Sequence, residues 1–159
     1  MYKTNRRGFL GRGAVAAAAA TAAAVPARAQ ERPTKRVIRA DGKPVQPPAP
    51  GARPQRMSST VAFGNLLFIS GVGYHRDGDI KVHTKGVLDS IKKQLEAAGS
   101  SMEKCLKCNV YLNDLKDFAG MNEVYDGAFG PEPPVRTTIA AAGGIPGNSL
   151  VEIDVIATL

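Results

Sequence analysis

From residue 57 onward, apolar residues recur every second position in some stretches and every third or fourth in others, so strands and helices can be read in order. In STVAFGNLLFISG, residues 59–71, two β-rich runs flank Gly64-Asn65, a pair suited to a two-residue hairpin turn. The chain then continues to residue 83 through Asp77-Gly78-Asp79, which predicts the tip of a second hairpin. From Thr84 the period changes. Val87, Leu88, Ile91, Leu95 and Ala98 share one helical face, and Gly99 stands where a C-terminal cap belongs. Residues 104–112 alternate as a strand. Residues 117–130 predict a second helix, with Asp114 or Asp117 as N-cap and Phe118, Met121, Val124, Tyr125 and Phe129 on its buried side. Two more strands, 135–141 and 150–157, flank a GGIPGNS loop. Two helices of about four turns on one face of a mixed sheet of about six strands make an α+β sandwich.

The second face of that sheet has no helix to cover it. In LVEIDVIATL, Val151, Ile153 and Val155 share one face, and Leu150, Glu152, Asp154 and Ile156 share the other. A mixed apolar and acidic outer face predicts contact between subunits, hence a homo-oligomer.

The first third of the chain differs. Residues 30–56 are rich in Pro, Arg and Gly and read as an extended linker ahead of a domain spanning 57–159, with one short strand expected at 36–40 before a turn at Asp41-Gly42. TNRRGFLGRG, residues 4–13, precedes an alanine-rich stretch and an A-x-A pattern at Ala27 and Ala29. This reads as a signal peptide over 1–29, and the Arg6-Arg7 pair with Phe9 and Leu10 resembles a twin-arginine signal, which predicts a periplasmic protein. The alternative is a retained anchor, although roughly 12 alanine-rich residues fall short of the ~20 that span a bilayer.

Charge must be divided along the same boundaries. The whole chain carries a formal +7, but residues 57–159 hold nine basic and twelve acidic residues, a net of −3. With no tryptophan and no basic stripe interleaved with aromatics, a nucleic-acid surface has little support.

Within the domain, PPVRTTIA, residues 133–140, sets a lone arginine in a run of small and β-branched residues that reads as a buried strand. Burying a guanidinium without a partner costs several kcal/mol, so Arg136 calls for a carboxylate, either an internal one such as Glu152 or Asp154 or a ligand's. KCLKC holds Cys105 and Cys108 in a C-x-x-C. Thiol-disulfide catalysts place that motif at a helix start; here it enters a strand, where an i, i+3 pair points to opposite faces, so core cysteines are expected. His75 and His83 lack acidic or cysteine neighbours at ligand spacing, which argues against zinc. GGIPG lacks the lysine and following helix of a phosphate loop.

GNLLFISG (64–71), LEAAGSS (95–101), NVYLNDLKDFAGMNEVY (109–125), PPVRTTIA (133–140) and LVEIDVIA (150–157) together resemble the RidA/YjgF family over about residues 58–159. The resemblance implies a chorismate-mutase-like fold and trimers with clefts between subunits. It implies that Arg136 binds the carboxylate of a small 2-imino or 2-enamino acid, for which a planar two-donor fork is suited. It further implies that Glu152 holds and deprotonates the attacking water, and that Ser70, Gly71, Asn122 and Thr138 line the cleft. Water adds at carbon 2 and ammonia leaves to give a 2-keto acid, with no metal and no organic cofactor.

Two departures bear on this. Met57, in QRMS, stands where the family has the tyrosine of G-P-Y-S, and a thioether has no hydroxyl to relay a proton. Thr138 stands where many members carry a cysteine. Two functions are therefore expected to compete: a periplasmic enamine/imine deaminase, and a trimeric binding protein that captures keto acids in the same cleft without turnover. Ribonuclease activity, a third family reading, fits a net-acidic domain poorly.

Overall fold

The computed structural model describes residues 32–39, 45–46 and 49–159. The signal-peptide reading of 1–29 lies outside the described residues, as does the turn at Asp41-Gly42. Residues 32–159 form one compact unit.

Its centre is a six-stranded sheet with the order β1-β2-β3-β6-β4-β5. The strands are β1 Lys35–Ile38, β2 Thr60–Phe63, β3 Leu66–Gly73, β4 Cys105–Leu112, β5 Val135–Ala140 and β6 Val151–Thr158. All neighbours pair antiparallel except β4 and β5, which run parallel and so need the crossover that helix α2, Phe118–Tyr125, supplies. Helix α1, Ile80–Ala97, fills the connection between β3 and β4. The short strand within the Pro/Arg-rich stretch is part of this sheet, an edge strand on β2.

Both helices press one apolar stripe onto one sheet face. Val87, Leu88, Ile91 and Leu95 of α1 and Met121 and Tyr125 of α2 join Leu67, Val110, Leu112, Ile153 and Val155 in a single core. Gly64, at φ +61°, closes the β2–β3 hairpin with a backbone that a side chain would strain. Gly99, at φ +83°, follows α1 as its sequence position predicts.

Three expectations are corrected. No second hairpin forms at Asp77-Gly78-Asp79: Asp79 is the N-cap of α1, its carboxylate accepting the Val82 N–H at 2.9 Å, so the helix starts four residues before Thr84. An Asp-Gly pair suits either a turn or a cap, and helix propagation behind it decided. Second, α2 is eight residues long, not four turns. Asp114 caps a preceding 3-10 turn through the Lys116 N–H, Asp117 caps nothing with its side chain, and Gly127 at φ +75° follows the helix end. Phe129 still reaches the core from beyond the helix, whereas Phe118 stays 40% exposed. Third, Cys105 and Cys108 do not point to opposite faces. The β4–β6 register slips between Cys105 and Lys107, so Cys105 pairs with Ala157 and Cys108 with Val155, both core positions. One extra residue restores a shared face to an i, i+3 pair. Both thiols are buried and free.

Candidate functional site

The sheet register decides which candidate residues can meet. Cys108 pairs with Val155 on one side and with Arg136 on the other, so Arg136 stands on the helix-covered face, at the edge strand β5. Thr138, two residues on, shares that face through its pairing with Val110. Tyr111 pairs with Glu152 and Asn109 with Asp154, which puts both carboxylates on the opposite face.

The strand expected to be buried is not: β5 ends the sheet, and five of its six residues are exposed. Arg136 is exposed with them, so its charge keeps contact with solvent while α2 holds it from behind. Asn122 Oδ1 accepts from its Nη1 at 2.8 Å. The guanidinium carbon lies 4.6 Å from the centre of the Tyr125 ring and 5.8 Å from that of Phe118. Phe118, Asn122 and Tyr125 are spaced i, i+4, i+7 and so share one helical face, which makes a shelf for a flat cation. Among the described residues Arg136 forms no ion pair with a carboxylate. Beside it lies a cavity of about 270 Å³ lined by Tyr125, Gly127, Phe129, Pro133, Pro134 and Arg136. Two hydroxyls near this cluster, Tyr125 Oη and Thr138 Oγ1, are buried without a well-formed hydrogen bond. Burial first, and then the neighbouring Cys108 thiol, holds the Tyr125 hydroxyl far above the usual phenol range, so it stays protonated.

On the other face a bulge prepares the seat of Glu152. The β3–β6 register slips between Ile69 and Val72, so Ser70 and Gly71 together provide the extra residue. The Ser70 N–H bonds back to the Ser59 carbonyl at 2.9 Å. Gly71 lies directly under Glu152: a Cβ there would come 2.1 Å from Oε1 and 2.8 Å from Cδ of that side chain. The carboxylate therefore occupies space that only a glycine leaves open. The Glu152 carboxylate makes no hydrogen bond among the described residues, although its backbone is paired in the sheet. Asp154, by contrast, is occupied, accepting from Asn109 Nδ2 at 2.8 Å and from the Tyr111 hydroxyl at 3.1 Å. Desolvation, followed by that bond to Asp154, pushes the Tyr111 hydroxyl up, so it remains the donor.

Within one chain, then, Arg136, Asn122 and Thr138 gather on one face, and Ser70, Gly71 and Glu152 gather on the other. The two groups do not meet. The internal ion pair of Arg136 with Glu152 or Asp154 is not formed, because the sheet separates them. Met57, in the place of the family tyrosine, is 59% exposed. Sequence reasoning treated Phe118 and Tyr125 only as core; the signal that they also carry a cation is their spacing about Asn122. Among the described residues no three His, Cys, Asp or Glu side chains cluster as metal ligands.

Known proteins share the fold and much of the sequence. Residues 49–159 match the family model described as Endoribonuclease L-PSP. A RutC family protein of Pyrococcus horikoshii is 43% identical over 107 residues, covering 63% of this chain and 84% of its own length. The Arabidopsis thaliana protein named Reactive Intermediate Deaminase A, chloroplastic, is 33% identical over 109 residues, covering 64% of this chain and 58% of that one. Among solved structures, a YjgF-family protein of Neisseria meningitidis superposes with a TM-score of 0.63 at 28% identity, over 79% of this chain and 94% of that one. Yeast Mmf1 does so with a TM-score of 0.67 at 27% identity, over 79% and 98%. The chain belongs to the endoribonuclease L-PSP family, the RidA/YjgF family that its motifs resemble.

Proposed function

We propose that this protein hydrolyses small 2-imino and 2-enamino acids to 2-keto acids and ammonia in a cleft between subunits of a homotrimer. The observation that carries the reading is the state of Arg136: exposed, braced by Asn122 and Tyr125, and without a carboxylate partner among the described residues. A guanidinium fixed on one edge presents its remaining donors to an external carboxylate. A second copy would bring the Glu152 face of its sheet to the Arg136 edge of the first, which completes the site. The exposed Phe68, paired with Ile156 on the Glu152 face, supports burial of that face against a neighbour.

The steps then follow from placement. Arg136 anchors the carboxylate, and Thr138 lies two residues on along the same strand face. An enamine first tautomerises to the imine. Glu152 of the neighbouring copy then accepts a proton from water as the water attacks carbon 2 and returns it to the nitrogen. Ammonia departs from the tetrahedral adduct as the adduct's hydroxyl proton passes to nitrogen and the C=O of the keto acid forms. Positioning supplies most of the acceleration, since such imines already hydrolyse in water. The relative named a reactive intermediate deaminase supports the reaction class. Export by the twin-arginine route would place it in the periplasm; changing Arg6 and Arg7 to lysine should leave precursor in the cytoplasm, and unchanged export would contradict that route.

The test is semicarbazide trapping of enzymatically generated imino acids. Wild-type protein should accelerate loss of the imine, and Glu152→Gln should retain keto-acid binding while losing turnover. A specific observation favours a second reading: with Met57 in the tyrosine's place, the cleft lacks one hydroxyl, and a binding protein without turnover would result. Keto-acid binding by wild-type protein that leaves every imine tested untouched would select that reading.

A further inference from the structure

The turn that delivers β6 is held by one side chain of its own, Ser149, and by two from outside it, His75 and His83. Ser149 Oγ accepts the Tyr74 N–H at 2.9 Å and donates to the Val151 carbonyl at 2.6 Å. His75 Nδ1 lies 2.8 Å from the Gly147 carbonyl, and His83 Nδ1 lies 3.1 Å from the Leu150 nitrogen. The partners assign the protons. A carbonyl can only accept, so His75 carries its hydrogen on Nδ1. A backbone N–H can only donate, so His83 Nδ1 is a bare lone pair and its hydrogen sits on Nε2.

The turn needs such holding. Gly147 and Asn148 are consecutive residues at φ +76° and +61°, the second a conformation that side chains adopt at some cost. The imidazole of His75 packs so close that a Cβ on Gly147 would meet it at 2.7 Å. His83 is 3% exposed, edge-on to the Tyr74 ring at 5.5 Å, so water cannot replace its bond readily. Two residues beyond Leu150 comes Glu152, at its pairings with Gly73 and Tyr111.

We infer that His83 is a positioning residue for Glu152, and that the neutral imidazole it must be makes that placement sensitive to acid. The inference rests on the reading of Glu152 as the group that handles water. A proton on Nδ1 would face the Leu150 N–H as a second donor, and the bond would be lost. The His75 bond survives protonation, because Nδ1 already donates there. The charged and titratable groups around His83 are His75, Arg76 and Asp77, which line the same cavity of about 240 Å³, and Asp79 one turn below on α1. Tyr74 packs on the ring, and the 145–150 turn carries no charge.

The experiment pairs imidazole nitrogen NMR with kinetics on the full chain. At pH 7.5, His83 should report the Nε2–H tautomer and His75 the Nδ1–H tautomer. Between pH 7.5 and 5.5 the Leu150 and Glu152 amide signals should move with the His83 ring. Imine turnover by wild type should fall about five-fold more than that of His83→Asn, the factor that one hydrogen bond converts to. The asparagine Oδ1 keeps an acceptor near the Nδ1 position and does not titrate. Keto-acid affinity, which depends on Arg136, should stay level in both. A neutral His83 with its hydrogen on Nδ1, or Glu152 amide signals that ignore the His83 ring, would overturn the inference. So would an acid loss identical in His83→Asn. Absence of turnover at every pH would instead overturn the deaminase reading, and the NMR arm alone would then decide the role of His83.

Discussion

A methyl group on Gly71 would meet the Glu152 carboxylate before anything else. The clash falls on the far end of a flexible side chain, so Gly71→Ala should change the melting temperature little while displacing the carboxylate by about 1 Å. A shift of that size is worth roughly a 100-fold loss in rate. Turnover of Gly71→Ala should therefore fall by about that factor with keto-acid affinity unchanged; full activity would show that Glu152 does not need this seat. Arg136 was legible in the sequence because a charge in a β-rich run demands an explanation. Its shelf was not, because Tyr125 at helical spacing reads as core, and it is core: the same ring that is buried against Phe129 also faces the guanidinium. Residue patterns report one role at a time, and here one residue has two.

At the scale of elements, strand alternation and helical period gave β2 through β6 and most of α1, but not the irregularities that build the site. Both bulges, at Ser70-Gly71 and next to Leu106, are single extra residues set by pairing with β6, a partner remote in sequence. The second bulge turns both cysteines into the core. Burial raises Cys105 from 9.0 to about 12 and Cys108 from 9.0 to about 11. The unfolded chain would release these protons first. Their contribution to stability is then intact below pH 9 and is lost as pH rises from 9 toward 11 to 12. Thermal melts of wild type should accordingly drop between pH 8.5 and 10.5 by more than those of a Cys105→Ala/Cys108→Ala double variant. Parallel curves would mean that the thiols ionise freely in the native state.

For the whole molecule, the sheet is a wall with chemistry on both sides. One face is closed by α1 and α2 and carries Arg136 at its edge, and the other carries Glu152 with Asp154 and Phe68 and has no helix among the described residues. The sequence pattern revealed the two-sided character of β6 but could not say that Arg136 and Glu152 lie on different sides, since that depends on how β4 registers with both neighbours. Light scattering should give about three times the monomer mass. Two damaged copies should complement each other. Arg136→Ala and Glu152→Gln should each be inactive alone. Co-expressed in equal amounts, about three-quarters of the trimers should be mixed, and in each of these one cleft in three holds an intact Arg136 from one copy and an intact Glu152 from the next, so about a quarter of wild-type imine hydrolysis should return. A mixture as silent as its parents, from trimers shown to contain both variants, would contradict a site shared between subunits.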